Sequence, residues 1–373
     1  MIRVRSVTLR EVQLPLREPF RISSGSVKDR RFLLLELEDR SGAVAWSECV
    51  AGEDPNYSPE TVDTAWLALD RWLIPAVLDR GFESAAHVHG ALESVARGHP
   101  MAKGALEMGT WGLEAEVSGT SLSELIGGTR ERVEVGVSLG IEDAPDKLAL
   151  RAMREVEAGY RKIKVKIAPG SDIPFVRAAR EAVGPDVPLM VDANAAYTPA
   201  DAPHLEGLDE FGLTMIEQPL DREDILRHAD LQRRLETPIC LDESITSVDR
   251  AEDMIALGGG RIINIKPGRV GGFTSSLGIH DRAREAAMPV WCGGMLERGI
   301  GRAYNVALAS LPGFSMPGDL SPSRRYWAED IVEPEWTMSS DGWVQVPRDR
   351  PGIGVQVRRD RIEGLTTRVE RYG

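Results

Sequence analysis

The sequence predicts an α/β protein with a closed parallel (β/α)8 barrel and a smaller α+β domain. Three observations support this fold class. From Val133 onward, short apolar runs alternate with amphipathic, helix-like stretches, as expected for a series of βα units. Charged residues end five of these runs, and from Lys166 to Lys266 they are separated by 26, 25, 25 and 24 residues. The first 125 residues do not follow this period.

The N-terminal region predicts strands followed by helices. The segments RVRSVTLREVQLPL and RRFLLLELED are typical of strands, and the intervening EPFRISSGSVKD predicts a mobile polar loop. Ser58, Pro59 and Glu60 predict the start of a helix that continues through TVDTAWLALDRWLIPAVL. A second helix is expected from Ala102 to Val117.

The barrel strands are predicted from the apolar runs that recur after this region. They are VEVGVSL, RKIKVKI, PLMVDAN, LTMIEQ, PICLDES, RIINIKP, PVWCGG and GFSMPGD, the least regular of the set. A parallel barrel has its active site at the carboxyl ends of the strands, where the charged residues lie. The last segments, WVQVP and IGVQV, are β-like and are expected to rejoin the first domain. We therefore divide the chain into an α+β domain (1–125), a barrel domain with the active site (126–330) and a C-terminal segment that returns to the first domain (331–373).

The charge and cysteine content restrict the partners and the compartment. The formal net charge of −13 argues against nucleic acid or an anionic membrane, since both would repel the protein. A small anionic substrate stays possible, because a local site can be cationic within an acidic protein. MIRVRSVTLR lacks the apolar core of a signal peptide, and no run approaches the roughly 18 apolar residues of a membrane span. The 3 cysteines are far apart in apolar runs, which predicts buried free thiols and a cytoplasmic location.

The charged strand ends predict a shared site inside the barrel mouth. Lys164 and Lys166 point to one face of their strand, and Asp192 and Asn194 do the same on theirs. Lysines packed outward against helices would be unpaired, whereas lysines facing carboxylates are compensated. An ion-pair network that braces the rim is the alternative. Bracing, however, does not require three adjacent carboxylates that repel one another.

A divalent cation relieves this repulsion. Asp192, Glu217 and Asp242 offer only oxygen ligands, which favours Mg²⁺, with Mn²⁺ as a possible substitute and Zn²⁺ disfavoured. Alternation along a strand points only one of Asp242 and Glu243 inward. The spacing favours Asp242, and Glu243 is the alternative ligand.

The lysines predict proton transfer at a carbon next to a carboxylate. A metal bound to that carboxylate stabilises the enediolate that forms when the proton leaves. A lysine near a cation and another lysine has a lowered pKa and can act as a base near neutral pH. Lys166 and Lys266 would carry protons on two sides of the substrate carbon, and Lys164 would interact electrostatically with the enolate.

Other interpretations stay open from the residues alone. Phe20 and Tyr57 lie in loops of the first domain, where they either pack or form an apolar wall over the barrel mouth. A Schiff-base aldolase or decarboxylase would use one lysine as nucleophile, and EDTA would leave it active. A non-catalytic binding barrel would tolerate loss of the acidic side chains.

The motifs resemble those of a known family. They are EPFR, MAKGALEM, YRKIKVKIAPG, VDANAAYT, IEQPL, PICLDESI, NIKPGRVGG and WCGGMLERGIGRA. The chain resembles the enolase superfamily in its muconate-lactonizing subgroup, most closely the o-succinylbenzoate synthase and N-succinylamino acid (N-acylamino acid) racemase family. The resemblance covers most of the chain. It implies a modified (β/α)8 TIM barrel with an α+β enolase-type capping domain, a small-molecule carboxylate substrate and a homo-oligomer.

The resemblance also implies a role for each matching residue. The implied metal ligands are Asp192, Glu217 and Asp242, and the implied acid and base are Lys166 and Lys266. Lys164 would contact the substrate carboxylate. The expected further substrate contacts are Asn194, Ser138, Gly294, Met295, Phe20, Tyr57 and Arg298.

Differences from the family pattern and its neighbours are informative. Arg298 stands where the family usually has a small hydroxyl residue, so it would meet a distal substrate carboxylate or point to solvent, and Tyr304 replaces a smaller residue. A mandelate-racemase-like enzyme would have a lysine-x-histidine pair and a histidine base. Dipeptide epimerases usually carry Asp-x-Asp on the last strand, which Asp319-Leu320-Ser321 does not supply.

The expected function is therefore that of a Mg²⁺-dependent o-succinylbenzoate synthase, a carbon–oxygen lyase of menaquinone biosynthesis. Lys166 would remove the α-proton and then assist the departure of hydroxide, while Lys266 would stay protonated and stabilise the enolate. The alternative is racemization of N-succinylamino acids by the two lysines from opposite faces. Arg269, just after Lys266, would tune that lysine toward proton transfer and so permit both activities.

Overall fold

Two large sheets organise the chain, an antiparallel one in the N-terminal region and a parallel one in the barrel. The computed structural model describes residues 1–22, 25–28 and 30–373. A π-helical turn, Leu69–Leu73, joins the first two helices. The N-terminal elements are β1 (Ile2–Gln13), β2 (Phe20–Ile22), β3 (Gly25–Val27), β4 (Arg31–Asp39), β5 (Val44–Cys49), α1 (Val62–Ala68), α2 (Ile74–Val77), β6 (Gly81–Phe82), α3 (Ala86–Val95), α4 (Pro100–Ser118) and α5 (Leu122–Leu125).

The antiparallel sheet confirms the predicted N-terminal strands. Its strands β5, β4 and β1 are neighbours, and β6 pairs with the start of β1. Helix α4 packs closely on the sheet at Gly109, where a Cβ would lie 2.8 Å from Leu37 Cδ1. The first helix begins later than predicted, because the N-cap is Thr61, which forms a capping box with Thr64.

Part of the segment predicted as a polar loop forms strands. β2 and β3 pair antiparallel, with Phe20 opposite Val27. β-compatible residues in both segments favour this pairing. Residues 23, 24 and 29 of the predicted loop lie outside the described residues.

The barrel follows with alternating strands and helices. Short 3-10 turns at Pro199–Asp201, Glu206–Phe211 and Ser323–Arg325 interrupt the series. The barrel elements are β7 (Arg132–Glu134), β8 (Gly136–Leu139), α6 (Pro145–Glu157), β9 (Lys162–Lys166), α7 (Ile173–Val183), β10 (Leu189–Asp192), α8 (Ala202–Leu205), β11 (Ile216–Glu217), α9 (Ile225–Gln232), β12 (Ile239–Leu241), α10 (Val248–Leu257), β13 (Ile262–Ile265), α11 (Phe273–Glu285), β14 (Val290–Cys292) and α12 (Gly299–Ala309).

Strands β8 to β14 form one parallel sheet in chain order. The eighth position is occupied by the segment around Gly318, which is bonded to both ends of this sheet. Gly136 N donates to Gly318 O at 2.7 Å, and Asp319 N donates to Cys292 O at 2.9 Å. The predicted eighth strand therefore closes the ring without regular strand geometry, since Pro317 cannot donate a ladder hydrogen bond.

The C-terminal segment returns to the antiparallel sheet through its last strand. Its elements are β15 (Val332–Glu333), β16 (Trp343–Gln345), β17 (Gln356–Val357), α13 (Arg359–Leu365) and β18 (Thr366–Tyr372). β18 pairs antiparallel with β1, so the segment does return to the first domain. The predicted segments WVQVP and IGVQV do not join that sheet, because β16 pairs with β7 and β17 pairs with β15, each in a separate two-stranded sheet. Cys49, Cys240 and Cys292 are buried and unpaired, as predicted. Among the described helices, none has both the length and the apolar character to cross a membrane.

An apolar layer fills the barrel interior beneath the charged strand ends. It consists of Met190, Met215, Cys240, Ile262 and Trp291. The buried Lys162 lies on this layer, with Nζ 3.6 Å from the Trp291 ring centroid and 3.9 Å from Asp319 Oδ1. Its ammonium has no hydrogen-bond partner among the described residues. Burial lowers the pKa of Lys162 to about 8, although Asp319 acts in the opposite direction.

Lys162→Met is expected to stabilise the protein at neutral pH. Below pH 8, Lys162 is charged in both the folded and the unfolded chain. Burial of the charged ammonium then lowers the free energy of unfolding by about 3 kcal/mol. Between pH 8 and about pH 10.5, Lys162 is neutral in the folded chain but still charged in the unfolded chain. The destabilisation by Lys162 therefore decreases as the pH rises, and it is absent above about pH 10.5. Urea unfolding at pH 7 and pH 9.5 measures this difference. Lys147→Met, at an exposed site, is the control. A variant less stable than the wild type at pH 7 would contradict this account.

Arg298 connects the barrel to the capping domain. Its Nη1 donates to Glu48 Oε1 at 3.2 Å, and its guanidinium lies 3.4 Å from the Phe32 ring centroid. Glu48 also accepts the backbone N–H of Arg298 at 3.0 Å and that of Gly301 at 3.2 Å. Nearby, Tyr304 O–H donates to Trp46 O at 2.8 Å.

This geometry contradicts the expectation that Arg298 faces a substrate group or solvent. The side chains of Arg298 and Glu48 are both 0% exposed, so each charge depends on the other for compensation. The position after GGMLE therefore holds a structural cation at the domain contact.

Arg298→Ala is expected to lower the free energy of unfolding by about 3–5 kcal/mol, because Glu48 would remain buried without its counter-ion. Equilibrium urea denaturation measures the loss. Arg233→Ala is the control, since Arg233 pairs with Asp230 on the surface, and a change below about 0.5 kcal/mol is expected there. A loss below about 1 kcal/mol for Arg298→Ala would show that the pair contributes little.

Candidate active site

The strand ends bring the predicted lysines and carboxylates into one buried cluster. Alternation along β9 directs Lys162, Lys164 and Lys166 to the interior. Strands β10 and β11 end at Asp192 and Glu217. The other two predicted members, Asp242 and Lys266, directly follow β12 and β13.

Lys166 occupies one side of the cluster. Its Nζ lies 2.5 Å from Asp192 Oδ2 and 2.6 Å from Asn194 Oδ1. Asn194 Nδ2 in turn donates to Glu243 Oε1 at 2.8 Å. All the described partners of Lys166 here therefore belong to the barrel.

Lys164 lies at the centre of the cluster. Its Nζ is 3.4 Å from Asp192 Oδ2, 3.2 Å from Glu217 Oε2 and 2.7 Å from Asp319 Oδ2. Burial lowers the pKa of Lys164, but Asp319, Glu217 and Asp192 together raise it well above its ordinary value. This ammonium therefore acts as a fixed positive charge between three carboxylates.

Lys266 occupies the other side of the cluster. Its Nζ donates to Asp242 Oδ2 at 2.6 Å and to Tyr57 Oη at 3.2 Å. Tyr57 O–H also donates to Asp242 Oδ2 at 3.3 Å, so a capping-domain residue reaches the site. Burial lowers the pKa of Lys266, but Tyr57 and the carboxylates, Glu217 first, raise it above its ordinary value.

The protein groups alone do not lower the pKa values of Lys164 and Lys266. A metal and a neighbouring lysine were expected to lower them. The protein groups around Lys164 and Lys266 act in the opposite direction, because each ammonium is surrounded by carboxylates.

Arg269 anchors the third carboxylate. Its Nη1 donates to Asp242 Oδ1, its Nε to Ile245 O at 3.1 Å and its Nη2 to Asn264 O at 2.8 Å. Arg269 therefore acts on Lys266 through their shared partner, Asp242.

The backbone at the strand ends is also specialised. Asn194 and Gln218, just after β10 and β11, have φ angles of 44° and 40°. Such left-handed non-glycine residues concentrate at functional sites, where the surrounding structure holds them. Gln218 Oε1 accepts the N–H of Asp242 at 3.0 Å and that of Ser244 at 3.2 Å, which fixes the loop after β12.

The donor atoms of the cluster decide whether it can hold a divalent cation. Among the described residues, no three His, Cys, Asp or Glu side chains are placed to hold a metal as they stand, because ammonium groups contact the carboxylates. The donor set is nevertheless oxygen-only and buried, as Mg²⁺ requires. Glu243 Oε2 is buried without a hydrogen-bond partner. Burial and Asp192 both raise the pKa of Glu243, and a cation would relieve both effects. The residues fit the metal.

Glu243 corrects one detail of the prediction. Alternation was expected to point only one of Asp242 and Glu243 into the site. Both lie there, since β12 ends at Leu241 and the following backbone is no longer a strand.

Of the remaining predicted contacts, Ser138 and Gly294 lie next to residues of the cluster. Ser138 pairs in register with Lys164, and its Oγ is buried without a hydrogen-bond partner in the described structure. Gly294 approaches Asp319, since a Cβ at this glycine would lie 3.0 Å from Asp319 O. Met295 O accepts from Arg30 Nη1 at 2.6 Å. Phe20 lies farther out, in the wall of a surface groove.

Three polar residues of the site were not identified from the sequence. Lys162 was detectable, because KIKVK places three lysines on one strand face. Asp319 was considered only as part of an absent Asp-x-Asp motif. Asn264, whose Nδ2 donates to Glu217 Oε1 at 2.8 Å, has no distinctive sequence signal.

Comparisons with known families match this architecture. Residues 4–127 match the mandelate racemase / muconate lactonizing enzyme N-terminal domain. Residues 147–361 match the enolase C-terminal domain-like family.

Individual relatives cover nearly the whole chain. An o-succinylbenzoate synthase from Geobacillus kaustophilus is 47% identical over 98% of this chain and 96% of its own length. An N-succinylamino acid racemase from Amycolatopsis sp is 48% identical over 98% of each chain. Both relatives are enzymes, one a lyase and the other an isomerase.

Solved structures agree with the fold. An enolase superfamily member from Listeria innocua Clip11262 has a TM-score of 0.95 and 38% identity over 100% of this chain and 99% of its own. A dipeptide epimerase from Enterococcus faecalis V583, solved with Mg and the dipeptide L-Leu-L-Tyr, has a TM-score of 0.87 and 25% identity over 95% and 99%. The sequence matches and the capped barrel together establish that the chain belongs to the enolase superfamily.

Proposed function

We propose that the protein is a Mg²⁺-dependent o-succinylbenzoate synthase that also racemizes N-succinylamino acids. The observation that carries the proposal is the placement of Lys166 and Lys266 on opposite sides of one carboxylate cluster. Relatives with each of these two activities are 47% and 48% identical to the chain. The proposal includes menaquinone biosynthesis as the pathway, a cytoplasmic location and a homo-oligomeric assembly.

The charges of the site favour a substrate with two carboxylates. Five acidic and five basic side chains form the buried cluster, so their formal charges balance. The cluster consists of Asp192, Glu217, Asp242, Glu243, Asp319, Lys162, Lys164, Lys166, Lys266 and Arg269. A divalent cation adds two positive charges, which a dianion would neutralise. o-Succinylbenzoate is a dicarboxylate, and its cyclohexadiene precursor carries the same two carboxylates because dehydration removes only water. N-succinylamino acids also carry two carboxylates.

The metal ligands would be Asp192, Glu217 and Asp242, with Glu243 close by. When bound, Mg²⁺ or Mn²⁺ supplies positive charge beside the substrate carboxylate, where negative charge develops during proton removal. Lys164 is directed at the same region and supplies a second positive charge. Asn194 and Ser138 would contact the substrate, and Gly294, Met295 and Tyr57 would border it.

In dehydration, Lys166 would remove the proton next to the carboxylate. It would then return that proton to the leaving hydroxide, so that one side chain serves as base and acid. Lys266 would remain protonated and stabilise the enolate, in agreement with the raised pKa that Tyr57 and Glu217 give it.

In racemization, both lysines would transfer protons from opposite faces of the α-carbon. Arg269 supports this second activity, because it holds Asp242 Oδ1 while Lys266 contacts Oδ2. Two cations then share one carboxylate, which weakens the hold of Asp242 on Lys266 and favours proton release.

Metal removal is expected to abolish both activities. EDTA should lower the turnover of the cyclohexadiene precursor and of N-succinylamino acids at least about a thousandfold, and Mg²⁺ should restore it. Asp192→Asn should give a similar loss, whereas Asp230→Asn, on the exposed face of α9, should not. Steady-state assays of both substrates measure the effect. Activity that survives EDTA would instead favour Schiff-base chemistry by a lysine.

The two lysines are expected to act on different faces. In D₂O, the wild type should exchange the α-proton of both N-succinylamino acid enantiomers. Lys266→Ala should retain exchange for one enantiomer and Lys166→Ala for the other, because each variant keeps the base on one side. Proton NMR measures the exchange, and Lys147→Ala is the control.

Calorimetry with Mg²⁺ checks that the metal site survives each change. If both variants bind Mg²⁺ normally but neither exchanges either enantiomer, the two-base assignment is wrong.

A further inference from the structure

Helix α4 of the capping domain packs on the loop that follows Lys266. This loop runs from Pro267 to Gly272 and leads into α11. A Cβ at Gly104 of α4 would lie 3.0 Å from Gly268 O and 3.1 Å from Gly272 N. A side chain at this position would therefore force the loop backbone to shift, and the absence of one lets the helix approach the loop closely.

Glu107, on the same helix, binds the start of α11. Its Oε2 accepts the N–H of Phe273 at 2.7 Å, and its Oε1 accepts the N–H of Thr274 at 2.9 Å. The same Oε1 accepts from Thr274 Oγ1 at 2.5 Å and from Trp111 Nε1 at 2.8 Å. The side chain is 0% exposed, and these four donors are all uncharged. Glu107 thus caps a barrel helix from the other domain, where the first N–H groups of a helix have no partner within the helix.

The loop links the start of α11 to Lys266. Lys266 O accepts the N–H of Arg269 at 3.0 Å and that of Val270 at 3.2 Å. Gly272 N donates to Pro267 O at 2.8 Å. These bonds fold the segment between the lysine and the helix into a compact turn. A shift of the helix start is therefore expected to displace Lys266.

The same helix also holds a partner of Lys266. Glu60 accepts the N–H of Met101 at 2.7 Å and that of Ala102 at 2.9 Å, in the first turn of α4. Glu60 closely follows Tyr57, whose hydroxyl accepts from Lys266 at 3.2 Å. Two buried carboxylates thus connect both halves of the Tyr57–Lys266 hydrogen bond to α4.

We propose that Glu107 is a positioning residue for Lys266, through which the capping domain controls proton transfer on one face of the substrate carbon. The inference rests on the function proposed above, because it takes from there the assignment of the two faces to two lysines. Lys166 should not depend on Glu107, since its partners Asp192 and Asn194 belong to the barrel.

The test measures α-proton exchange of each enantiomer of N-succinylalanine in D₂O by proton NMR, with the Mg²⁺-loaded protein. Glu107→Gln keeps the shape of the side chain but replaces one acceptor oxygen with an NH₂ group, so at least one of the four donors loses its acceptor. For the enantiomer whose exchange requires Lys266, we expect exchange to be roughly ten- to a hundredfold slower, because a displaced base loses its alignment with the substrate. For the enantiomer whose exchange requires Lys166, we expect a rate within about twofold of the wild type.

Glu114→Gln is the matched control. Glu114 also lies on α4, and it accepts the N–H of Ala85 at 2.7 Å at the start of α3, within the capping domain. This variant should leave both rates unchanged. Gly104→Ala disturbs the contact with the loop independently and should slow the same enantiomer as Glu107→Gln. Gly90→Ala, with open space around the added Cβ, should slow neither.

Wild-type exchange of both enantiomers by Glu107→Gln overturns the proposal. So does an equal loss for both enantiomers, since that would reflect loss of folded protein or of the metal site. Both of these outcomes leave the proposed function standing. If the wild type exchanges neither enantiomer, the proposed racemization fails, and the positioning role fails with it.

Discussion

The interleaving of ammonium and carboxylate groups at the barrel mouth is the constraint on which the site depends. Neither set is stable there alone, because buried like charges repel and desolvation disfavours each ion. Lys164 illustrates the solution, with Asp192, Glu217 and Asp319 all within 3.4 Å of its Nζ. Parallel strands make this arrangement possible, since each successive strand presents one charge at the same level of the barrel.

This constraint extends to the domain contact. Glu48 of the capping domain and Arg298 of the barrel are buried together, and Arg30 of the cap donates to Met295 O. These contacts join the capping domain to the barrel. Tyr57 can therefore reach both Lys266 and Asp242 from the other domain. The geometry of the chemistry thus depends on contacts formed between residues about 250 positions apart.

The sequence predicted the parts of the structure that follow from periodicity. Strand spacing located Lys166, Asp192, Glu217, Asp242 and Lys266, because each lies at the same point of a repeating unit. Features that depend on irregular backbone were not predictable. Alternation failed at Glu243, because the strand ends two residues earlier.

Tertiary contacts set the second limit on prediction. The environment of Arg298 is formed by Glu48 and Phe32, which are distant in sequence and have no local signal. The lysine pKa values depend on how many carboxylates converge on each ammonium, and the spacing of single residues does not give that number. The roles assigned to the individual substrate contacts remain predictions.

The hydrogen bond between Tyr57 and Lys266 makes the two halves of the site unequal. Lys166 contacts Asp192 and Asn194, which both belong to the barrel. Lys266 also contacts Tyr57, which lies in a loop of the capping domain. In the proposed mechanism, proton transfer by Lys266 therefore depends on the position of the capping domain, whereas proton transfer by Lys166 depends on barrel residues.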